Sequence, residues 1–351
     1  MSTNRQALWK RILRGLGVCL VWLLLAGMTV WAAAALYFDL SFARVPVLMP
    51  ALYLLAVFIL GWFIKRRILR MTVGAAGFLI VLMCWLSLKP SNDRPWQPND
   101  SETPWAEIDG DRVTIHNFRN CDYRSETDYT CHWLTKTVLL SQIRGIDLFV
   151  TYWGSPWIAH PIVSFQFGDG DHVATSIETR NQVGRDYSAI RGFFRQYELL
   201  YVLADERDLV RLRSNYRQGE DVYLFRTTAG PEWSRKLFLE YLRQANQLRD
   251  HPKWYNAATD NCTTNIFTQM AATGRLPAGS ALYDWWILLN GRGPEILYRY
   301  GNFAGDMPYP ELMKRAYINP VAHTVNDDPD FSRRIRIGRP GFEFLSSGSA
   351  H

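Results

Sequence analysis

Thr259-Asp260-Asn261-Cys262-Thr263-Thr264-Asn265-Ile266-Phe267 reads as a helix start with a cysteine in it. Asp260 and Asn261 are good capping residues. Ile266, Phe267, Met270 and Ala271 then recur at helical spacing, and Gly274 suits the positive φ found beyond a helix end. The stretch predicts a short amphipathic helix of about three turns with Cys262 in its first turn. The unpaired N–H groups and dipole of that turn favour a thiolate, which makes Cys262 a candidate nucleophile. A buried structural cysteine is the bland alternative.

A thiol nucleophile needs a base brought to it by the fold and oriented by a third polar group. Ile162–Phe167 and Val173–Ile177 flank Gly168-Asp169-Gly170-Asp171, a hairpin signature, and His160 stands at the entrance to its first strand. If Phe167 pairs with His172, His160 faces Thr179. A register one residue shorter sets Glu178 opposite His160 on the same face. Glu178 is therefore the candidate to orient the imidazole, with Arg180 close by. His172, at the turn, is about 23 Å from that end at ~3.3 Å per residue and cannot serve the same site.

Arg112–Phe118, Ile146–Tyr152 and Val222–Arg226 alternate as strands, while Glu206–Tyr216 and Glu232–Gln247 carry helical patterns. This mixture predicts an α+β domain with a real core. Ser332–His351 reads as a loosely held tail.

Three apolar runs precede the domain, at roughly 16–38, 47–64 and 71–88, and each is read as a membrane span. Arg5, Lys10, Arg11 and Arg14 lie before the first, and Lys65, Arg66, Arg67 and Arg70 fill the second connection. The positive-inside rule places the N-terminus in the cytoplasm and the domain on the outer side of the membrane. Residues 1–88 hold nine Lys/Arg against one Asp, while the remainder holds 30 basic against 32 acidic residues. The net +6 is thus a topology signal, and nucleic acid is not an expected partner. The expected organisation is a membrane anchor at 1–88, a Pro- and Asn-rich linker at 89–104, a periplasmic domain at 105–310 and a C-terminal extension at 311–351.

Cys19 and Cys84 fall inside apolar runs. Cys121 and Cys131, ten apart in an exported domain, could close a disulfide-bonded loop and leave Cys262 as the odd thiol outside the membrane. The chain has no HExxH, no Gly-rich phosphate loop and no GxSxG, so no metal or cofactor is expected. Trp285 and Trp286, followed by Ile287, Leu288 and Leu289, make an apolar patch that is either core or a wall of an acyl-chain site. Arg207, Arg211 and Arg213 are either a salt-bridged helix face or a phosphate contact.

Ala159-His160, Ser176-Ile177-Glu178-Thr179-Arg180, the Asp205–Arg213 segment, and Tyr255-Asn256 followed by Asn261-Cys262-Thr263-Thr264 together resemble a bacterial family. It is the N-terminal periplasmic domain of Lnb, also known as DUF4105, and the resemblance covers roughly residues 115–300. It implies a thiol acyltransferase that moves an acyl chain from the glycerol of a lipoprotein to its N-terminal amine, with membrane lipids or lipoproteins as partners. His before Cys in chain order also looks like the permuted papain-type arrangement of NlpC/P60-related enzymes and lecithin:retinol acyltransferase relatives. On this reading Cys262, His160 and Glu178 carry the chemistry, as acyltransferase or as hydrolase. Asn261, Thr263, Arg180, Arg207, Trp285 and Trp286 bind or support. The alternatives are a cell-wall amidase or peptidase on the same pair and a non-catalytic envelope scaffold.

Overall fold

Residues 2–40, 45–168, 170–274 and 290–345 are described by a computed structural model of the chain. The chain divides into two units. One comprises Met1–Pro90 and Ser188–Gln196, the other Ser91–Tyr187 and Tyr197–His351.

In the first unit the apolar runs form α1 (Ser2–Phe38), α2 (Leu48–Phe63) and α3 (Arg67–Leu86). Ala32, Ala35, Leu36, Val81 and Phe194 form its small core, and Trp31 packs edge-on against Phe78 and Trp85. The expectation of three spans is corrected here. Trp9–Phe38 and Arg67–Leu86 are long and apolar enough to cross a membrane, whereas α2 has 16 residues. At 1.5 Å per residue α2 reaches about 24 Å, short of a ~30 Å hydrocarbon layer. It stops because the backbone turns extended at Ile64, ahead of the charged Lys65-Arg66-Arg67 run. The Ser188–Gln196 segment closes the helix ends. Arg195 stacks over the Trp85 ring at 4.1 Å and donates to the carbonyls of Trp85, Leu86 and Leu88. Gln196 donates to Phe38 O and Asp39. A cation on the orphan carbonyls of a helix C-terminus satisfies both hydrogen bonding and the dipole.

The second unit is an α+β domain around one eight-stranded sheet. Its strands are β1 (Trp105–Asp109), β2 (Arg112–Tyr123), β3 (Tyr129–Leu139), β4 (Ile143–Trp153), β5 (Ala159–Phe167), β6 (His172–Arg180), β7 (Glu198–Ala204) and β8 (Glu220–Arg226). They lie in the order β1-β2-β7-β6-β5-β4-β8, with β3 also on β2. All pairs are antiparallel except β2 with β7. Cys121 and Cys131 are cross-strand partners in β2 and β3 and are joined as a disulfide.

Both sheet faces are covered, so the strands are apolar on both sides. One face, with Val163, Phe165, Ile177, Tyr201 and Phe225, packs on Leu237, Phe238, Tyr241, Leu242 and Ala245 of α5 (Pro231–Asp250) and on α6 (Cys262–Ala272). The other, with Phe149, Ile162, Ala174, Leu200 and Leu224, packs on α4 (Glu206–Arg211) and on the C-terminal segment. That segment adds α7 (Gly293–Arg299), α8 (Tyr309–Ala316), α9 (Asn319–Thr324) and α10 (Phe331–Arg334). The loosely held tail expected from Ser332 is overturned as far as Leu345. Ile335 and Phe342 are fully buried, and Arg336 donates to Asp147 at 2.9 Å and to Glu206 at 2.6 Å. Its apolar residues lack regular spacing because they plug a sheet face from irregular chain.

Candidate functional site

Cys262 opens α6 as its first residue. Asn261 is the N-cap: its side chain accepts from the Thr264 N–H, and the Thr264 side chain closes a capping box on the Asn261 N–H. Asn261 also donates to Ala257 O, tying the cap to the preceding loop. Gly274, past the helix end, has φ +78. The helix expected from the sequence is therefore present with its cap and its cysteine in place.

The hairpin takes the shorter register, with Ile162 opposite Ser176 and Gln166 opposite His172. Pairing of β5 with β6 stops at Ile162, because Pro161 has no N–H to continue the ladder. Beyond that point His160 and Glu178 come to the same strand ends on the same face. Ser176 fits between them. Its Oγ lies 2.7 Å from His160 Nε2 and donates to Glu178 Oε1 at 2.7 Å, whereas His160 Nε2 and Glu178 Oε1 are 3.6 Å apart. Glu178 is held in turn by Arg213 at 3.3 Å, and Arg213 also meets Glu220 at 3.4 Å.

His160, Glu178, Arg213, Arg217, Glu220, Tyr187, Tyr255 and Cys262 all line one pocket of about 250 Å³. Cys262 reaches it from the helix layer on one sheet face, and His160 belongs to the residue set of the other face. Both line the pocket at the strand ends. Among the described residues the thiol has no hydrogen bond to the imidazole; its polar neighbour is Thr263 Oγ1 at 3.9 Å. A larger cleft of about 570 Å³, lined by Tyr152, Trp157, Tyr223, Arg292 and Tyr309 among others, contains neither cysteine nor histidine.

The electrostatics depart from the thiolate expected at a helix start. Burial raises the Cys262 thiol above its ordinary value, outweighing the Thr263 hydroxyl, the Thr263 N–H and Arg213, which all act to lower it. Burial and then Arg213 lower the His160 imidazole to about 3, against the opposing pull of Glu178. Glu178 is driven well below the usual carboxylate range: its burial would raise it, but Arg213 and then His160 more than offset this. The resting site thus pairs a neutral thiol and a neutral imidazole with an ionised carboxylate.

Other residues singled out from the sequence lie elsewhere. Arg180 donates to Asp100 O, Ser101 O and Asn92, and its guanidinium stacks over Trp96. Arg180 is on the Glu178 face of β6, but these partners draw its guanidinium away and fix the 91–104 stretch to the sheet. Arg207 sits in the first turn of α4, where its N–H donates to the cap Asp205, and it is not in the pocket lining. Arg211 pairs with Asp122. Trp285 and Trp286 lie outside the described residues. Thr263 is buried against the thiol and also lines an apolar slot with Ile266, Phe267, Met270, Val150 and Leu297. Ser176 and Glu220 were missed by the sequence reading; the period-2 pattern of β6 already places Ser176 on the face of Glu178.

Residues 129–291 match the model of the family described as the Lnb N-terminal periplasmic domain. No curated protein and no solved structure matches the chain. The matched span contains every residue that lines the Cys262 pocket.

Proposed function

The 129–291 segment belongs to the Lnb N-terminal periplasmic domain family, a periplasmic, envelope-associated domain, and from that premise we propose that this chain is a membrane-tethered thiol acyltransferase. The observation that carries the reading is the shared pocket of Cys262, at the head of a capped helix, and His160, whose Nε2 is held by Ser176 with Glu178 behind it. Cys262 Sγ attacks an ester carbonyl while His160 takes the thiol proton. The N–H groups of the first turn of α6 hold the oxyanion. Collapse expels the alcohol, which takes the proton back from the imidazolium and leaves a thioester on Cys262. An acceptor amine then attacks the thioester, giving an amide and restoring the thiol; water in its place gives hydrolysis. Catalytic hydrogen bonds are often open in a resting site, and substrate closes the thiol onto the imidazole. His160 before Cys262 is also the chain order of permuted papain-type enzymes.

The acyl side is favoured by a small apolar slot of about 40 Å³ that Thr263, next to the nucleophile, also lines, and which would have to widen to take a long chain. A second apolar slot shares Leu148, Ile266, Met270 and Leu297 with it. Tethering to a bilayer raises the local concentration of lipid and lipoprotein substrates. We place the protein in the inner membrane with its domain in the periplasm; the cytoplasmic N-terminus expected from Arg5, Lys10, Arg11 and Arg14 needs an odd number of crossings, which two spans do not give. Protease added to spheroplasts should remove the domain and leave the apolar helices in the membrane.

The test is intact mass spectrometry of wild type, Cys262→Ala and His160→Ala after incubation with bacterial lipids and lipoproteins. A long-chain adduct on Cys262 that needs His160 is expected. A second reading, a cell-wall amidase, is favoured by the charged pocket wall of Arg213, Arg217 and Glu220. It predicts cleavage of peptidoglycan amides with no acyl chain retained, and that result would displace the first reading.

A further inference from the structure

Ser176 has one hydroxyl proton, and it is committed. The hydroxyl donates to Glu178 Oε1 at 2.7 Å, and Glu178, an acceptor held by Arg213, has no proton to return. The 2.7 Å contact between Ser176 Oγ and His160 Nε2 then needs its proton from the imidazole. We infer that Ser176 is a positioning residue that fixes His160 as the Nε2–H tautomer and so leaves the Nδ1 lone pair as the base. Among the described residues Nδ1 has no protein hydrogen-bond partner, and His160 lines the pocket that holds Cys262.

The consequence for the reaction is a defined proton path. Nδ1 receives the Cys262 proton as the C–S bond forms, and Nε2–H keeps donating to Ser176 Oγ throughout. The Ser176 proton stays on the hydroxyl, and Glu178 remains ionised and acts through Ser176. Ser176 is 1% exposed and adjoins Ile177 and Thr175 in a paired strand, so the chain cannot move it without breaking β6. Arg213 completes the row by holding Glu178 from the far side.

This inference rests on His160 being the base, but its test needs no substrate. The full chain in nanodiscs, labelled with ¹⁵N-histidine, reports the tautomer of His160 by its ring nitrogen shifts, assigned by difference against His160→Asn. Wild type should show Nε2–H near pH 7. Ser176→Ala should lose that preference, with thioester formation falling roughly 10²-fold or more. Ser176→Thr, which keeps the hydroxyl, should restore both. An Nδ1–H tautomer in wild type, or an unchanged tautomer in Ser176→Ala, overturns the inference. If the tautomer behaves as expected and no acyl adduct forms in any variant, the acyltransferase reading fails and the assignment of Ser176 stands.

Discussion

Cys262 and His160 carry opposite shifts. The thiol is pushed above its ordinary value of 9.0 and the imidazole down to about 3, so the neutral pair is favoured at pH 7. A thiolate–imidazolium pair would need the reverse order. Iodoacetamide should therefore modify Cys262 slowly at neutral pH, with a rate that climbs as pH passes 9. Fast alkylation that is flat between about pH 5 and 8 would show an ion pair and contradict this electrostatic balance. Slow labelling alone does not make Cys262 an inert structural cysteine; dependence of the chemistry on His160 marks it as the nucleophile. The helix dipole, which the sequence suggested would win, loses because its effect is typically about 0.3–1 kcal/mol. Taking the thiolate out of water is the larger effect at Cys262, and it acts in the opposite direction.

The elements divide into those that a local signal announces and those that it cannot. The helix at Cys262 was legible because Asn261, Ile266, Phe267 and Gly274 all speak locally. The same local chemistry gives a prediction. Asn261→Ala removes one half of the capping box and the Ala257 tether, and should cost about 1 kcal/mol in thermal or chemical unfolding. Asn261→Asp should recover most of it. No change in either variant would mean that tertiary packing alone holds the head of α6. The hairpin of β5 and β6 was legible from its turn, and its register followed from two alternatives. Which neighbour holds the imidazole was not, because Ser176 enters only once Pro161 ends the ladder. The direction of Arg180 was not legible either: its partners, Asp100 and Ser101, come from residues 80 and 79 positions away. The limit of α2 depends on where Ile64 turns, a backbone choice that an apolar count does not report.

For the α+β unit as a whole, the C-terminal segment is a clamp. Arg336 is buried and bridges Asp147 on β4 and Glu206 on α4 across a covered sheet face. Arg336 holds Glu206 down at about 2, despite burial that would raise it. A depressed carboxylate contributes stability above its unfolded value of 4.5, and that contribution is lost as pH falls toward 2. Arg336→Met leaves buried Glu206 without its cation, while Asp147 keeps Arg226 at 3.0 Å, and should cost roughly 3–5 kcal/mol. The loss should be larger at about pH 8 than at about pH 5, since protonation can relieve the variant and not the wild type. Denaturant melts at the two pH values check this, and a loss equal at both would remove the electrostatic account.

The Ser188–Gln196 segment sets an order of events during synthesis. Its partners at the ends of the apolar helices reach no further than Leu88, and Phe194, Arg195 and Gln196 leave the ribosome only about a hundred residues later, some 5–20 s at ordinary elongation rates. Until then the carbonyls of Trp85, Leu86 and Leu88 wait without the guanidinium that will close them. The helical unit is thus finished by a segment of the later chain: a chain cut after residue 90 can carry the helices but not their final fastening, and a fragment started at residue 91 carries a fastening with nothing to close.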